Sequence, residues 1–250
     1  MFESETAKLL LIVTGIFVAS GFVKGTVGIG LPTVSMGLLS LVMPPVQAAA
    51  VMFGPALVTN LWQSYAGPSL LALLRRFRIM MALSFVGTLA GSGVMAGGNS
   101  RLALFALGVV LVLSTAINMF AVQFRVPRRR EPWLSPAIGT MTGLINGATG
   151  VFIFPAIPYM ASLELSKDEL IQLLGLTAVV SSLGLGTALL LRGSLGLGLA
   201  GTSAFALLPA FAGLFMGQAV RRHISENAFR RIFQTGLLLL GAYVALKNIP

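Results

Sequence analysis

The sequence predicts an all-α polytopic membrane protein made of two inverted repeats of about five hydrophobic segments each, 8–10 transmembrane segments in all, with broken or short helices at two glycine-rich motifs. Three observations predict it. Of 250 residues, 56% are apolar and 10% are charged, with a mean hydropathy of +0.92. A soluble domain carries about 25% charged residues, so this composition belongs in a bilayer. A helix-breaking pattern then occurs twice, as Gly21-Phe-Val-Lys24-Gly25-Thr-Val-Gly28-Ile-Gly30-Leu-Pro32 and as Gly143-Leu-Ile-Asn146-Gly147-Ala-Thr-Gly150-Val-Phe-Ile-Phe-Pro155. Finally, basic residues fall in alternate loops.

Cutting at charges, prolines and glycine clusters gives apolar segments near 7–23, 27–42, 46–66, 79–97, 102–122, 135–149, 151–163, 168–191, 195–220 and 227–248. A full span needs roughly 20 apolar residues, and several of these are shorter. The first two meet at the first motif and the sixth and seventh at the second. Each pair could be two short helices, one broken helix or a re-entrant hairpin. The acidic start, Met1-Phe-Glu-Ser-Glu, lacks a small-residue cleavage site, so the first segment is expected to stay. With no cysteine, disulfides, thiolate metal sites and thiol catalysis are excluded.

The halves align through the motif. Gly21, Gly25 and Gly28 lie 122 residues before Gly143, Gly147 and Gly150, Pro32 lies 123 before Pro155, and Gly87 and Gly91 lie 126 before Gly213 and Gly217. A slowly growing offset is what an old duplication leaves. The domains expected are a first membrane repeat over 1–124, a basic cytoplasmic linker over 125–134 and a second membrane repeat over 135–250.

Cytoplasmic loops are enriched in Lys and Arg, which orients the segments. With ten crossings, the loops after segments 3, 5, 7 and 9 hold twelve basic residues, including Arg75, Arg76, Arg78, Arg128, Arg221 and Arg222, against four on the other side. Merging each motif pair into one span gives ten against six. An odd number of crossings per half inverts the second repeat and puts both termini outside the cytoplasm. The net charge of +10 is read as orientation and lipid contact, not nucleic-acid binding.

Lys24 sits deep in the first apolar stretch, where an ammonium costs about 3 kcal/mol unless it faces a cavity or a partner. The seven acids all lie at termini or in flanking loops, so the lysine is open to an anionic ligand. Snorkelling to a nearby interface is its competing role. Pro32 and Pro155 are each expected to start a helix, whose free N–H groups would point back at the break and favour an anion. Gly25, Gly28, Gly30, Gly147 and Gly150 would let backbone approach it, with tight helix packing as the competing reading. For Gly87, Gly91, Gly213 and Gly217, packing is the preferred reading. Thr26 and Thr149 lie within the motifs, and Asn146 aligns with Lys24 as a neutral donor. Thr59, Asn60 and Gln63 on segment 3, with Thr177 and Ser181 on segment 8, are further candidates to line the site.

These motifs resemble those of the sulfite exporter TauE/SafE family of membrane anion transporters over 15–66 and 139–247. The family's first motif is richer in glycine after the break than Gly28-Ile-Gly30-Leu-Pro32, and in the second half only Gly150 remains. The resemblance implies transport of sulfite, sulfoacetate or another organosulfur or carboxylate anion across the inner membrane of a bacterium. The expectation is export by alternating access, because the membrane potential drives anions out. A channel or facilitator is the alternative. A membrane scaffold or a lipid-modifying enzyme is less favoured, since no acidic or His/Ser/Cys constellation is visible. No metal, cofactor or catalytic residue is expected. Coupling to protons or sodium and assembly as a homodimer stay open.

Overall fold

A computed structural model of the chain describes residues 2–97, 100–119, 125–221, 223 and 226–250. The end of the expected first repeat, 120–124, and Arg222 lie outside the described residues. The helices are α1 (Phe2–Val27), α2 (Leu31–Leu39), α3 (Pro45–Tyr65), α4 (Leu70–Ala96), α5 (Ser100–Met119), α6 (Glu131–Thr149), α7 (Ala156–Ala161), α8 (Lys167–Leu191), α9 (Leu197–Phe205), α10 (Leu207–Arg221) and α11 (Glu226–Lys247). No strand occurs among the described residues. Five stretches are long and apolar enough to cross a bilayer: Ala7–Val27, Leu70–Ala96, Ser100–Met119, Lys167–Leu191 and Leu197–Arg221. The protein is an all-α polytopic membrane protein. Its outer surface carries exposed Leu11, Leu191, Leu197 and Leu208, as a lipid-facing surface does.

Both motifs are helix ends. Gly28 and Gly150 take φ of 86° and 74°, the left-handed region that a side chain disfavours. Their N–H groups close the last turn by donating to the carbonyls of Lys24 and Asn146 at 2.8 and 2.7 Å. Gly30, at φ 112°, turns the chain again into α2, whose first turn holds Pro32. At nine and six residues, α2 and α7 rise about 14 and 9 Å, short of the roughly 30 Å of hydrocarbon. Segments 2 and 7 are therefore half-helices. Pro155 caps α7 instead of starting it, after a cis peptide bond.

Other boundaries differ from the segments cut at charged residues. Helix α4 begins at Leu70, so Arg75, Arg76 and Arg78 ride on its first turns. Arginine is a good helix former with a long stem, so it extends a span to the headgroups. Likewise α6 starts at Glu131, within the expected linker. Segment 9 breaks at Ala206 into α9 and α10.

The helices interlock through backbone contact at glycine. A Cβ added to Gly21 or Gly25 of α1 would lie 2.1 or 2.2 Å from the Ala210 or Leu214 carbonyl oxygen of α10. One on Gly213 or Gly217 would meet the Val18 or Phe22 oxygen at 2.1 or 2.2 Å. The same four contacts recur between α6 and α4: Gly143 on Ser84, Gly147 on Thr88, Gly87 on Thr140 and Gly91 on Leu144, at 2.2, 2.2, 2.7 and 2.2 Å. Adding 122 to an α1 number and subtracting 126 from an α10 number converts one set into the other. In each pair, one helix of the first half packs on one of the second. Helices α3 and α8 pack on each other, and so do α5 and α11.

The order of contacts gives helix directions. Helix α1 runs parallel to α10, and α4 runs parallel to α6; α3 opposes α8, since Gly67 meets Gln172 while Phe53 meets Gly186. One end of the bundle gathers Arg75, Arg76, Arg78 and Arg128 around Glu131. There Arg76 holds Glu131 in a two-pronged pair, at 2.9 Å from Nε and 2.6 Å from Nη2. This pair ties the start of α4 to the start of α6. The buried Gln172 clasps the same end, accepting from the Ser69 N–H and donating to the Ser64 and Gly67 carbonyls at 2.8–2.9 Å.

Backbone packing this close predicts a sharp contrast. Gly21→Leu should lower stability by about 2 kcal/mol or more through overpacking, whereas Gly236→Ala, with nothing within 4 Å of its added Cβ, should unfold with the parent. Thermal unfolding in detergent, followed by circular dichroism, measures both.

Candidate anion site

Lys24 lies in the last turn of α1 and is 4% exposed, held there by the Gly25 contact with α10. Its Nζ donates to Thr59 Oγ1 at 3.1 Å and to Asn60 Oδ1, both on α3. The Thr59 hydroxyl in turn donates to the Pro55 carbonyl at 2.7 Å, which aims its lone pairs at the ammonium. Asn60 Nδ2 is buried and has no partner among the described residues, leaving a donor beside the lysine. No carboxylate of the described residues bonds Lys24.

This ammonium forms one wall of a cavity of about 410 Å³ between α1, α3, α10 and the start of α8. Lys24, Gly25, Gly28, Thr59, Trp62, Gln63, Gln218 and Arg221 line it, with Ala66, Ile171 and Leu214. Two cations and two side-chain amides thus face one space, and no acid of the described residues does. Gln63 Nε2 donates to the Ile171 carbonyl at 3.1 Å, which leaves its carbonyl end for the cavity or for water. Such a wall favours an anion twice over, by charge and by its surplus of donors.

The structure brings together only part of the expected set. Lys24, Gly25, Gly28, Asn60 and Gln63 share the cavity or its wall. Gly30 lines a different one, of about 240 Å³, with Ile153 of the second break and Ser114, Thr115 and Asn118 of α5. Thr26 and Thr149 donate to carbonyls of their own helices, Val23 at 2.9 Å and Ile145 at 2.7 Å. Pro32 is buried in the first turn of α2, and Gly150 rests against Met36. Asn146, Gly147 and Ser181 belong to a separate buried group, and Thr177 is buried one turn before Ser181 on α8. In that group Asn146 Nδ2 donates to Thr88 Oγ1 at 3.2 Å and to the Ser181 carbonyl at 3.0 Å.

Thr59, Trp62, Gln218 and Arg221 complete the cavity; Thr59 is a candidate from the sequence, whereas Gln218 is placed only by the fold. Gln218 follows Gly217, the packing partner of Gly25, so it must lie beside Lys24. Thr59 precedes Asn60 on the same helical turn. Trp62, 69% exposed, and Arg221 carry no such mark.

A multi-pass membrane protein with a buried lysine that no carboxylate of the described residues pairs, on a cleft lined by cations and amides, has the chemistry to hold an anion. The comparison with known families agrees: the chain belongs to the sulfite exporter TauE/SafE family, whose model matches residues 12–244. It is accordingly a membrane transporter of sulfur anions. No curated protein and no solved structure matches it.

If the free ammonium is what an anion meets, giving it an internal partner must block the site. Asn60→Asp should weaken anion binding about tenfold or more, and Asn60→Ser far less. Titration calorimetry of the detergent-purified variants with sulfoacetate checks this.

Proposed function

We propose that the chain carries sulfite, sulfoacetate or a similar organosulfur or carboxylate anion through the Lys24 cavity by alternating access, outward from a bacterial cell across its inner membrane. The observation that carries this reading is Lys24 itself, 4% exposed and bonded, among the described residues, only to neutral oxygens, on the wall of a cavity that also holds Arg221. A buried charge without a counter-charge is costly, so the position calls for a mobile one. About 410 Å³ exceeds what a lone sulfite fills and leaves space for waters or a short carbon tail, for which the Trp62 ring is an apolar surface. The end that gathers Arg75, Arg76, Arg78 and Arg128 is cytoplasmic by the charge rule, so both termini are periplasmic. The two halves are inverted repeats, supported by four backbone contacts that map onto four others and by helix directions that reverse between matched elements.

Direction follows from the field. Moving one negative charge out is favoured by about 2.3 kcal/mol at 100 mV, so export needs no coupling ion. Proton coupling through Lys24 or through the substrate's own proton, and sodium held by carbonyls at the breaks, are the coupled alternatives.

Proteoliposomes loaded in turn with sulfite, sulfoacetate, thiosulfate and a small carboxylate should release at least one with saturation and counterflow. Lys24→Met should cut that flux about tenfold or more. Flux that is unsaturable and ohmic would make the protein a channel, and a Lys24→Met variant with the parent's affinity and rate would remove the site. Topology has its own test, since the chain lacks cysteine. Cysteines at Arg128 and Ser194 should react with an impermeant maleimide from opposite sides of the membrane.

A further inference from the structure

The Lys24 cavity has a counterpart in the second half. Lys24 donates to Thr59 across a separation of 35 residues, and Asn146 donates to the Ser181 carbonyl across the same 35. Adding 122 takes Lys24 to Asn146 and Thr59 to Ser181. The backbone repeats the match: an added Cβ on Gly25 would lie 2.9 Å from the Gln218 nitrogen, and one on Gly147 2.6 Å from the Ser92 nitrogen. So Asn146, Ser181, Thr88 and Ser92 stand where Lys24, Thr59, Leu214 and Gln218 stand in the first half.

The two places differ in being open or shut. Trp62 and Leu214 both line the open cavity. Their counterparts, Gly184 of α8 and Thr88 of α4, touch: a Cβ added to Gly184 would lie 3.0 Å from the Thr88 Cβ. Asn146, Thr88, Ser181 and Ser92 are all at most 5% exposed. Ser181 Oγ is buried and without a partner among the described residues, and so are Ser84 Oγ and Thr177 Oγ1, one turn before Thr88 and Ser181 on the same helices. Unbonded buried hydroxyls are costly, and a ligand would satisfy them. A cation stands at this end too. Arg192, exposed after the last turn of α8, reaches back so that its Nε donates to Ser92 Oγ at 3.3 Å.

We infer that Asn146, Thr88, Ser92, Ser181 and Arg192 form a second anion half-site, closed in this conformation, which opens toward the Arg192 end of the bundle when the Lys24 cavity closes. It takes the same small oxyanion, bound by hydroxyls, one amide and one guanidinium instead of a buried ammonium. This rests on the transport reading above. Opening separates Gly184 from Thr88 as Trp62 and Leu214 close together. Both are packing exchanges between helices of opposite halves, which leave the glycine-locked pairs α1–α10 and α4–α6 intact.

Because the chain has no cysteine, single-cysteine variants report on each site directly. Gln63→Cys and Ser92→Cys are reconstituted, sorted by orientation and treated with an impermeant stilbene-disulfonate maleimide, with and without sulfoacetate. Gln63→Cys should react from the arginine-rich end only and Ser92→Cys from the Arg192 end only. Sulfoacetate should slow each about tenfold, and Arg192→Gln should raise the sulfoacetate needed to protect Ser92→Cys about tenfold, with Arg192→Lys restoring most of it. If Gln63→Cys is protected but Ser92→Cys is unreactive from both sides, reacts from the arginine-rich end, or reacts without protection, the second half-site is refuted and the Lys24 reading stands. If neither is protected and the parent carries no anion, the transport reading itself falls.

Discussion

Helices in lipid gain nothing from hiding apolar surface, because the surrounding tails are as apolar as their own side chains. What holds them is contact, and contact is best where side chains are missing. Here α1 meets α10 and α4 meets α6 over Gly21, Gly25, Gly213 and Gly217 and over their counterparts Gly143, Gly147, Gly87 and Gly91. Each pair joins one half to the other, so neither half is complete alone. The placement of polar groups follows from these contacts. Gly25 pressed on α10 puts Lys24 beside Gln218, and Gly147 pressed on α4 puts Asn146 beside Thr88 and Ser92.

A buried ammonium could have been neutralised by a carboxylate, and no carboxylate of the described residues bonds it. Glu131, the buried acid among the described residues, is paired with Arg76 well away from the lysine and spent on tying α4 to α6. Thr59 and Asn60 solvate Lys24 without cancelling its charge. On the proposed reading, the result is a positive site stable enough to sit in a membrane protein and unsatisfied enough to draw an anion. At the matched position, Asn146 gives the same hydrogen-bond direction without a second charge to bury.

Much of this architecture is legible in the sequence. Composition gives the membrane class, glycine spacing gives the doubled break, and charge parity gives the expected orientation of the halves. Lys24 stands out because a lone cation in an apolar run is costly unless it meets a cavity or a ligand. What the sequence hides is the division of labour within each motif. The glycines serve two purposes that look identical as letters: Gly21, Gly25, Gly143 and Gly147 pack on helices, while Gly28, Gly30 and Gly150 turn the chain at positive φ. Proximity across the halves is hidden too. The two breaks meet at Gly30 and Ile153, but the contacts that place Asn146 lead it to α4 and α8, not to Lys24. Pro155 precedes a helix too short to concentrate amide dipoles, and no local pattern signals that.

The inequality between Lys24 and Asn146 bears on how a carrier of this design can work. On the proposed reading, an anion is held by a buried ammonium when the cytoplasmic side is open and by hydroxyls, one amide and the exposed Arg192 guanidinium when the other side is open. Unequal affinity alone cannot pump, because the free energy gained on tight binding is returned when the loaded protein turns over. It does set where cargo loads at low concentration and where it leaves. With the anion bound, Lys24 is neutralised as it leaves the cavity's water, which lowers the barrier for the loaded protein to close. An empty protein must close over a bare ammonium. That difference favours movement with cargo over movement without it, so the same unpaired charge that selects the anion also couples its binding to the exchange of open faces.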